Sequence, residues 1–270
     1  MKIFGKMQLS KLEGVSKVLV DYHVHGIGHQ TSRHTLAELS GFVERGLAVN
    51  LAEIGFADHD YYLEDLKFSN FLLLEKRFPQ IKIKVGLEVE YLPDQQQSVV
   101  NYAEVYSFDY LIGSVHFVNE WPFDHPDYRS GYEDWEIDDL YRAYFGLVSQ
   151  MARTKRFDIV GHLDLIKIFG HRSRTSVLEL AAPALQVIKQ CGLTVEINTA
   201  GWYKPVREVY PALNLLEECF RLGIPITLSS DAHVAEDVGR DINKARELAW
   251  QVGYRQVATF EKRQRIMLPL

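Results

Sequence analysis

The sequence predicts an α/β protein, a TIM-like barrel in a single domain. Three observations carry this expectation. Short β-branched runs alternate with longer segments of helical periodicity. The alternation repeats seven or eight times within 270 residues. Six of the ten histidines, His23, His25, His59, His116, His162 and His233, fall where a predicted strand runs out. In a β/α barrel those strand ends share one face, on which sites are built. A doubly wound open sheet is the alternative.

Strands are predicted at 18–24, 49–56, 81–89, 108–115, 158–161, 194–198 and 225–229, with a further one at 256–259. Helices are predicted at 36–46, 63–78, 95–106, 136–154, 176–190, 211–222 and 235–251. The first helix rests on Leu36, Leu39, Val43 and Leu47 at helical spacing. The second stops before Pro79, which cannot continue it. Residues 118–135 are rich in aromatics, Pro, Asp and Gly and read as a long loop of the kind that carries function. There is no shift to linker composition, no low-complexity tract and no GxGxxG motif. One domain is therefore expected over 18–270, preceded by an N-terminal extension, 1–17.

Composition removes several classes. The net charge is −6, so a nucleic-acid partner is not expected. No apolar run approaches a membrane span, and the first residues lack the apolar core of a signal peptide. The two cysteines, Cys191 and Cys219, form no disulfide framework and suit a reducing compartment. A soluble cytoplasmic protein is expected.

The chemistry lies at the strand ends. His23 and His25 close the first strand in DYHVHGIGH. At i and i+2 they share one side of a strand, as Asp231 and His233 do in SSDAH. His59 follows the second strand, Glu88 ends the third, His116 the fourth, His162 the fifth, and Asn198 the sixth. His29 lies just beyond the first pair, within reach by a turn of the loop. Any one of these is an ordinary hydrogen-bonded polar residue; together they are a donor set for Zn, Mn or Fe. Nine candidates, His23, His25, His29, His59, Glu88, His116, His162, Asp231 and His233, exceed one coordination sphere. Two to three divalent metals bridged by a carboxylate fit better. Such sites hydrolyse phosphate esters, and amides are the other common substrate.

HVH, ADH, GLEVEY, GSVHF, GHLD and SSDAH, in that order, resemble the motifs of the PHP (polymerase and histidinol phosphatase) superfamily. GHLDLIK and EINTAGWYKPVREVYP are similar to the histidinol-phosphatase branch. The resemblance implies a distorted (β/α)7 barrel with a trinuclear metal centre. One metal would take His23, His25, Glu88 and Asp231; a second Glu88, His116 and His162; a third His29, His59 and His233, with His34 the fallback for His29. Glu88, Asp231 and His233 are the expected catalytic residues. The implied reaction is hydrolysis of L-histidinol phosphate by a metal-bound hydroxide. Another small phosphate ester (a sugar phosphate, nucleotide or phosphotyrosine) and a metal-dependent amidohydrolase activity are the alternatives.

A phosphate ester also needs cationic side chains. Lys167, Arg172, Lys204 and Arg207 follow the fifth and sixth strand ends and are the candidates, although solvated surface charge is the commoner fate of such residues. Asp21, Asp58 and Glu90 are candidates for orienting imidazoles. His125 could touch substrate, and His171 sits in a small basic cluster.

Overall fold

The computed structural model describes residues 18–30, 32–95, 102 and 105–270. The expected extension at 1–17 and most of the helix expected at 95–106 lie outside the described residues. In chain order the elements are β1 (Val20–Val24), α1 (Leu36–Ala48), β2 (Glu53–Phe56), α2 (Phe68–Arg77), β3 (Lys82–Glu90), β4 (Tyr110–Ser114), β5 (Phe117–Val118) and β6 (Trp121–Pro122). They continue with α3 (Ile137–Arg153), β7 (Ile159–Val160), α4 (Val177–Cys191), β8 (Thr194–Asn198), α5 (Leu213–Leu222), β9 (Ile226–Ser229), α6 (Ile242–Val252), β10 (Gln256–Glu261) and β11 (Gln264–Pro269).

Seven parallel strands pair in the order β1-β2-β3-β4-β7-β8-β9. The two ends of that sheet meet: His25 N–H donates to Ala232 O at 2.8 Å and Ala232 N–H to His23 O at 3.2 Å. The result is a nearly closed seven-stranded barrel wrapped by helices, as the alternation of elements predicts. Parallel strands covered on both faces read as continuous apolar runs. β4, β8 and β9 are buried throughout, so charged residues inside them need a compensating reason.

Helix ends follow sequence signals. Thr35 and Glu38 form a capping box at the start of α1, whose Leu39, Phe42 and Val43 face the barrel. α4 and α5 stop at Gly192 and Gly223, both with left-handed backbone. Two predicted helices are shorter than expected. The 63–78 segment is a 3-10 turn at Asp60–Asp65 followed by α2. The 235–251 segment is interrupted because Gly239 adopts φ 70° and gives its N–H to Asp21 Oδ2 at 2.8 Å. The loop at 118–135 holds the small β5–β6 ribbon and a 3-10 run at Pro126–Asp134.

β1 carries an irregularity that matters for the site. Asp21 pairs with Ile54 and Val24 with Phe56, so three steps on β1 match two on β2. Such a bulge re-aims side chains. Tyr22 and His23 consequently both face the barrel interior: Tyr22 packs on Tyr110 at 4.9 Å, and His23 Nε2 lies 3.3 Å from Glu88. Asp21 turns the other way, to the N–H groups of Ser230 and Gly239.

The predicted strand at 256–259 pairs with β11 rather than joining the barrel. This hairpin packs under the barrel interior, where Phe260 N–H donates to Tyr22 Oη at 2.9 Å. Tyr110 fills the same layer, and a Cβ at Gly86 would overlap its ring. Gly86→Ala is therefore expected to cost about 1–3 kcal/mol by overpacking. Thermal unfolding should show a Tm several degrees lower; an unchanged Tm would contradict this packing.

Candidate metal centre

The barrel topology collects the predicted residues around Glu88, a carboxylate only 2% exposed. His59 Nδ1 lies 2.8 Å, His23 Nε2 3.3 Å and His25 Nε2 3.6 Å from its Oε2. His162 Nε2 lies 3.0 Å and His116 Nε2 3.6 Å from its Oε1. Asp231 Oδ1 is 3.3 Å from His25 Nε2 and 3.9 Å from His23 Nε2. His233 stacks on His25 at 4.1 Å between ring centroids. Three groups of donor atoms converge closely enough to hold an ion: His23, His25 and Glu88; Glu88, His116 and His162; and His25, His59 and His233. Glu88 belongs to two of them.

Most of the inward atoms lack a hydrogen-bond partner among the described residues. Nε2 of His23, His25, His59 and His233, together with Glu88 Oε2, are buried without a hydrogen bond among the described residues. Buried polar atoms are nearly always satisfied. So many orphaned lone pairs aimed at common points fit a divalent cation. His233 Nδ1 lies 3.0 Å from the Asp231 carbonyl, to which it can donate, leaving Nε2 inward. His116 Nδ1 lies 2.6 Å from Glu90 Oε2, again with Nε2 towards Glu88.

Electrostatics divides the imidazoles. Burial, reinforced by neighbouring histidines, holds His25 well below the ordinary imidazole value and pushes His29 down to about 4. Burial also lowers His233. Burial alone would lower His23, but Glu196, Glu88 and Asp231 outweigh it and hold the ring well above its usual value. His116 is likewise raised, because Glu90 overcomes its burial. Burial opposes ionisation of Glu88, yet His23 and His59 keep it well below the usual carboxylate range. Ionised carboxylates and neutral imidazoles are the forms that bind metal.

The structure separates His29 from His34. The His29 ring lies 4.3 Å from His233 and 5.4 Å from His59, at the exposed rim of the third group. His34 is fully buried elsewhere; its Nδ1 accepts the Lys67 N–H at 3.0 Å and its ring packs on Phe71. His29→Ala is thus expected to lower metal content with little change in Tm. His34→Ala should do the reverse, costing about 2–3 kcal/mol through a lost hydrogen bond and a cavity. Metal analysis and melting curves on the two variants check this; identical profiles would refute the division. Asp58 is buried and accepts the Ile27 N–H at 2.7 Å, so it anchors the loop that carries His29.

The basic candidates fall in different settings. Lys167 is buried, with Nζ 2.8 Å from each of Asp164 Oδ2, Glu208 Oε2 and Val209 O. All three of its protons have protein acceptors, so it braces two loops. Arg172 bonds Glu208 at 2.8 Å, while Lys204 and Arg207 are exposed. His125 is exposed and His171 stacks on Tyr132 at 4.3 Å. Sequence reasoning missed Glu196, which touches His23, the His162 N–H, Asn198 and Ser229. Its signal was available: a glutamate in the middle of TVEIN, a strand otherwise suited to full burial.

Residues 21–200 match the model of the PHP domain family. The chain belongs to this family. A Deinococcus radiodurans protein named "Probable histidinol-phosphatase" is 36% identical over 261 residues, covering 91% of this chain and 97% of that protein. The histidinol-phosphatase of Lactococcus lactis subsp. lactis is 27% identical over 258 residues, covering 89% and 94%. The crystal structure of a histidinol phosphate phosphatase from Lactococcus lactis, complexed with zinc, L-histidinol and phosphate, superposes with a TM-score of 0.78 at 24% identity, covering 93% of this chain and 100% of that one. The fold is therefore that of a PHP barrel. Among the described residues no helix is long and apolar enough to cross a membrane.

Proposed function

We propose that this PHP protein is a metal-dependent phosphomonoesterase that hydrolyses L-histidinol phosphate to L-histidinol and phosphate, with residues 18–270 acting as one unit. The observation that carries this is Glu88, shared between two converging donor groups at the mouth of the barrel. The substrate is taken from the names of the relatives, which align over nearly the whole chain.

One cation would be held by His23, His25, Glu88 and Asp231, a second by Glu88, His116 and His162, and a third by His59 and His233 with His29. Zinc, manganese and iron all suit this donor set. Divalent cations bound there supply Lewis acidity, drawing charge from phosphoryl oxygens and bringing a water's pKa towards neutrality. The chain's own residues do the rest. Asn198 Nδ2 bonds Asp231 Oδ2 at 3.2 Å, which leaves Oδ1 directed at His25. Glu88, Asp231 and His233 stand at the reacting centre. Tyr61, 61% exposed, stacks on His59 at 4.8 Å and forms an apolar wall at the mouth. Lys204, Arg207 and Arg172 are proposed to supply positive charge to the phosphate, and Lys167 to fix the loop that presents them.

The test is turnover on histidinol phosphate, nucleoside monophosphates, sugar phosphates and phosphotyrosine, with metals quantified on the same sample. Preference for histidinol phosphate by orders of magnitude in kcat/KM, with two to three metals bound, is the expected result. Preference for another ester would overturn the substrate. Absence of any phosphatase activity in a metal-loaded sample would overturn the reaction.

A further inference from the structure

Glu196 is fully buried, and both of its oxygens are occupied. Oε1 accepts the His162 N–H at 2.7 Å and Asn198 Nδ2 at 2.9 Å. Oε2 accepts Ser229 Oγ at 2.8 Å and lies 3.0 Å from His23 Nδ1. An ionised carboxylate only accepts hydrogen bonds, so the proton on this edge of His23 belongs to Nδ1. In the neutral ring, the form that binds a cation, this is the single N–H. Nε2 therefore keeps its lone pair, and Nε2 is the atom that faces Glu88 and Asp231.

We propose that Glu196 is a positioning residue that selects which nitrogen His23 offers: it holds the Nδ1–H tautomer and so presents Nε2 to a cation. Glu90 stands in the same relation to His116, which shows that the arrangement is used twice at one centre. The consequence for the cation rests on the metal-centre reading above. The tautomer does not depend on which cation or substrate the site takes.

Glu196→Gln isolates the effect. Its carbonyl oxygen can still accept from the His162 N–H and Asn198. Its NH2 group then faces Ser229 and His23. Ser229 can turn its proton to the Ile197 carbonyl, 3.5 Å away, and accept instead. His23 Nδ1 must also accept, which moves its proton to Nε2 and removes the inward lone pair. Shape and hydrogen-bond number are kept while the tautomer inverts.

The experiment reads imidazole 15N shifts of the zinc-free protein, at a pH raised until the His23 signals stop changing so that the ring is neutral, with His23 assigned by difference against His23→Gln, and zinc affinity by competition with a chelator. Wild type should show His23 protonated at Nδ1 and E196Q at Nε2. Zinc affinity should fall about 10–100-fold in E196Q. Glu196→Asp should recover the Nδ1–H signature. An E196Q variant that keeps the Nδ1 proton, or binds zinc as tightly as wild type, overturns the proposal. The wild-type spectrum alone decides the tautomer, so an unstable E196Q would not shield it from refutation. If wild type binds no zinc but the tautomer inverts as stated, the metal reading falls and the assignment of Glu196 stands.

Discussion

Glu88→Gln is expected to lower kcat by about a thousand-fold or more while the barrel stays folded. The substitution keeps the shape and removes one negative charge from a point within 3.6 Å of five imidazoles. It also turns one of two accepting oxygens into a donor, which cannot serve a cation. A bridging position loses its purpose when either oxygen is lost. Cations at such centres supply several kcal/mol of transition-state stabilisation, and each 1.36 kcal/mol is a tenfold change in rate. Metal content should fall in parallel, most at the two positions that share Glu88. Steady-state kinetics and metal analysis of E88Q test this. A variant with full metal content and more than a tenth of the wild-type rate would mean that Glu88 is not the shared ligand.

Stripping divalent cations should abolish turnover and lower Tm by roughly 10 °C. A ligand at a thousand times its Kd contributes about 4 kcal/mol, and in a chain of this size each kcal/mol moves Tm by about 2–4 °C. The pH dependence of the stripped protein has a defined sign. His23 and His116 sit well above the ordinary value of 6.5. Their contribution is complete below 6.5 and is lost as pH rises through their folded values. His25, His29 and His233 sit below 6.5, with His29 at about 4. Between those values the unfolded chain takes up protons that the fold refuses, so stability falls as the solution is acidified. Asp21 and Asp58, raised to about 6 by burial, act in the opposite sense on that side. The alkaline limb is therefore the cleaner test. Tm of stripped protein should decline from about pH 6.5 towards pH 9, and the loaded protein should be flatter. A stripped protein whose Tm climbs with pH would contradict the placing of Glu196, Glu88 and Asp231 around His23 and of Glu90 beside His116.

Much of the fold could be read from the chain because strand and helix periodicities differ and the histidines fall at strand ends. His23 and His25, like Asp231 and His233, announce a shared direction through their i, i+2 spacing. What could not be read has local causes. The β10–β11 hairpin turns at Lys262 and Arg263, both with positive φ, where the usual Gly or Asn signal is missing. The β1 bulge places Tyr22 and His23 on one side, against the alternation that a strand pattern assumes. Lys167 reads as a phosphate-binding candidate from the sequence because its partners, Asp164 aside, come from a loop about forty residues on. Reach along the chain ranks His29 ahead of His34, but it does not show what holds His34 away, which is the Lys67 N–H. Glu196 was the recoverable omission, because a buried strand glutamate demands a partner.

The join between the first and last barrel strands has a kinetic consequence. Its backbone bonds link His23 and His25 to Ala232, and the Asp21 carboxylate accepts the N–H of Ser230, 209 residues further on. The side chains beside it are His23 and His25 on one lip and Asp231 and His233 on the other. Neither lip alone carries a full set of donors. A cation held by His23, His25, Glu88 and Asp231, or by His25, His59 and His233, would therefore find its donors assembled only once the ring has shut, whereas Glu88, His116 and His162 lie at the ends of the adjacent strands β3, β4 and β7 and need no closure. Uptake at the first two positions would latch the join between the first and last barrel strands, while uptake at the other would not report on it.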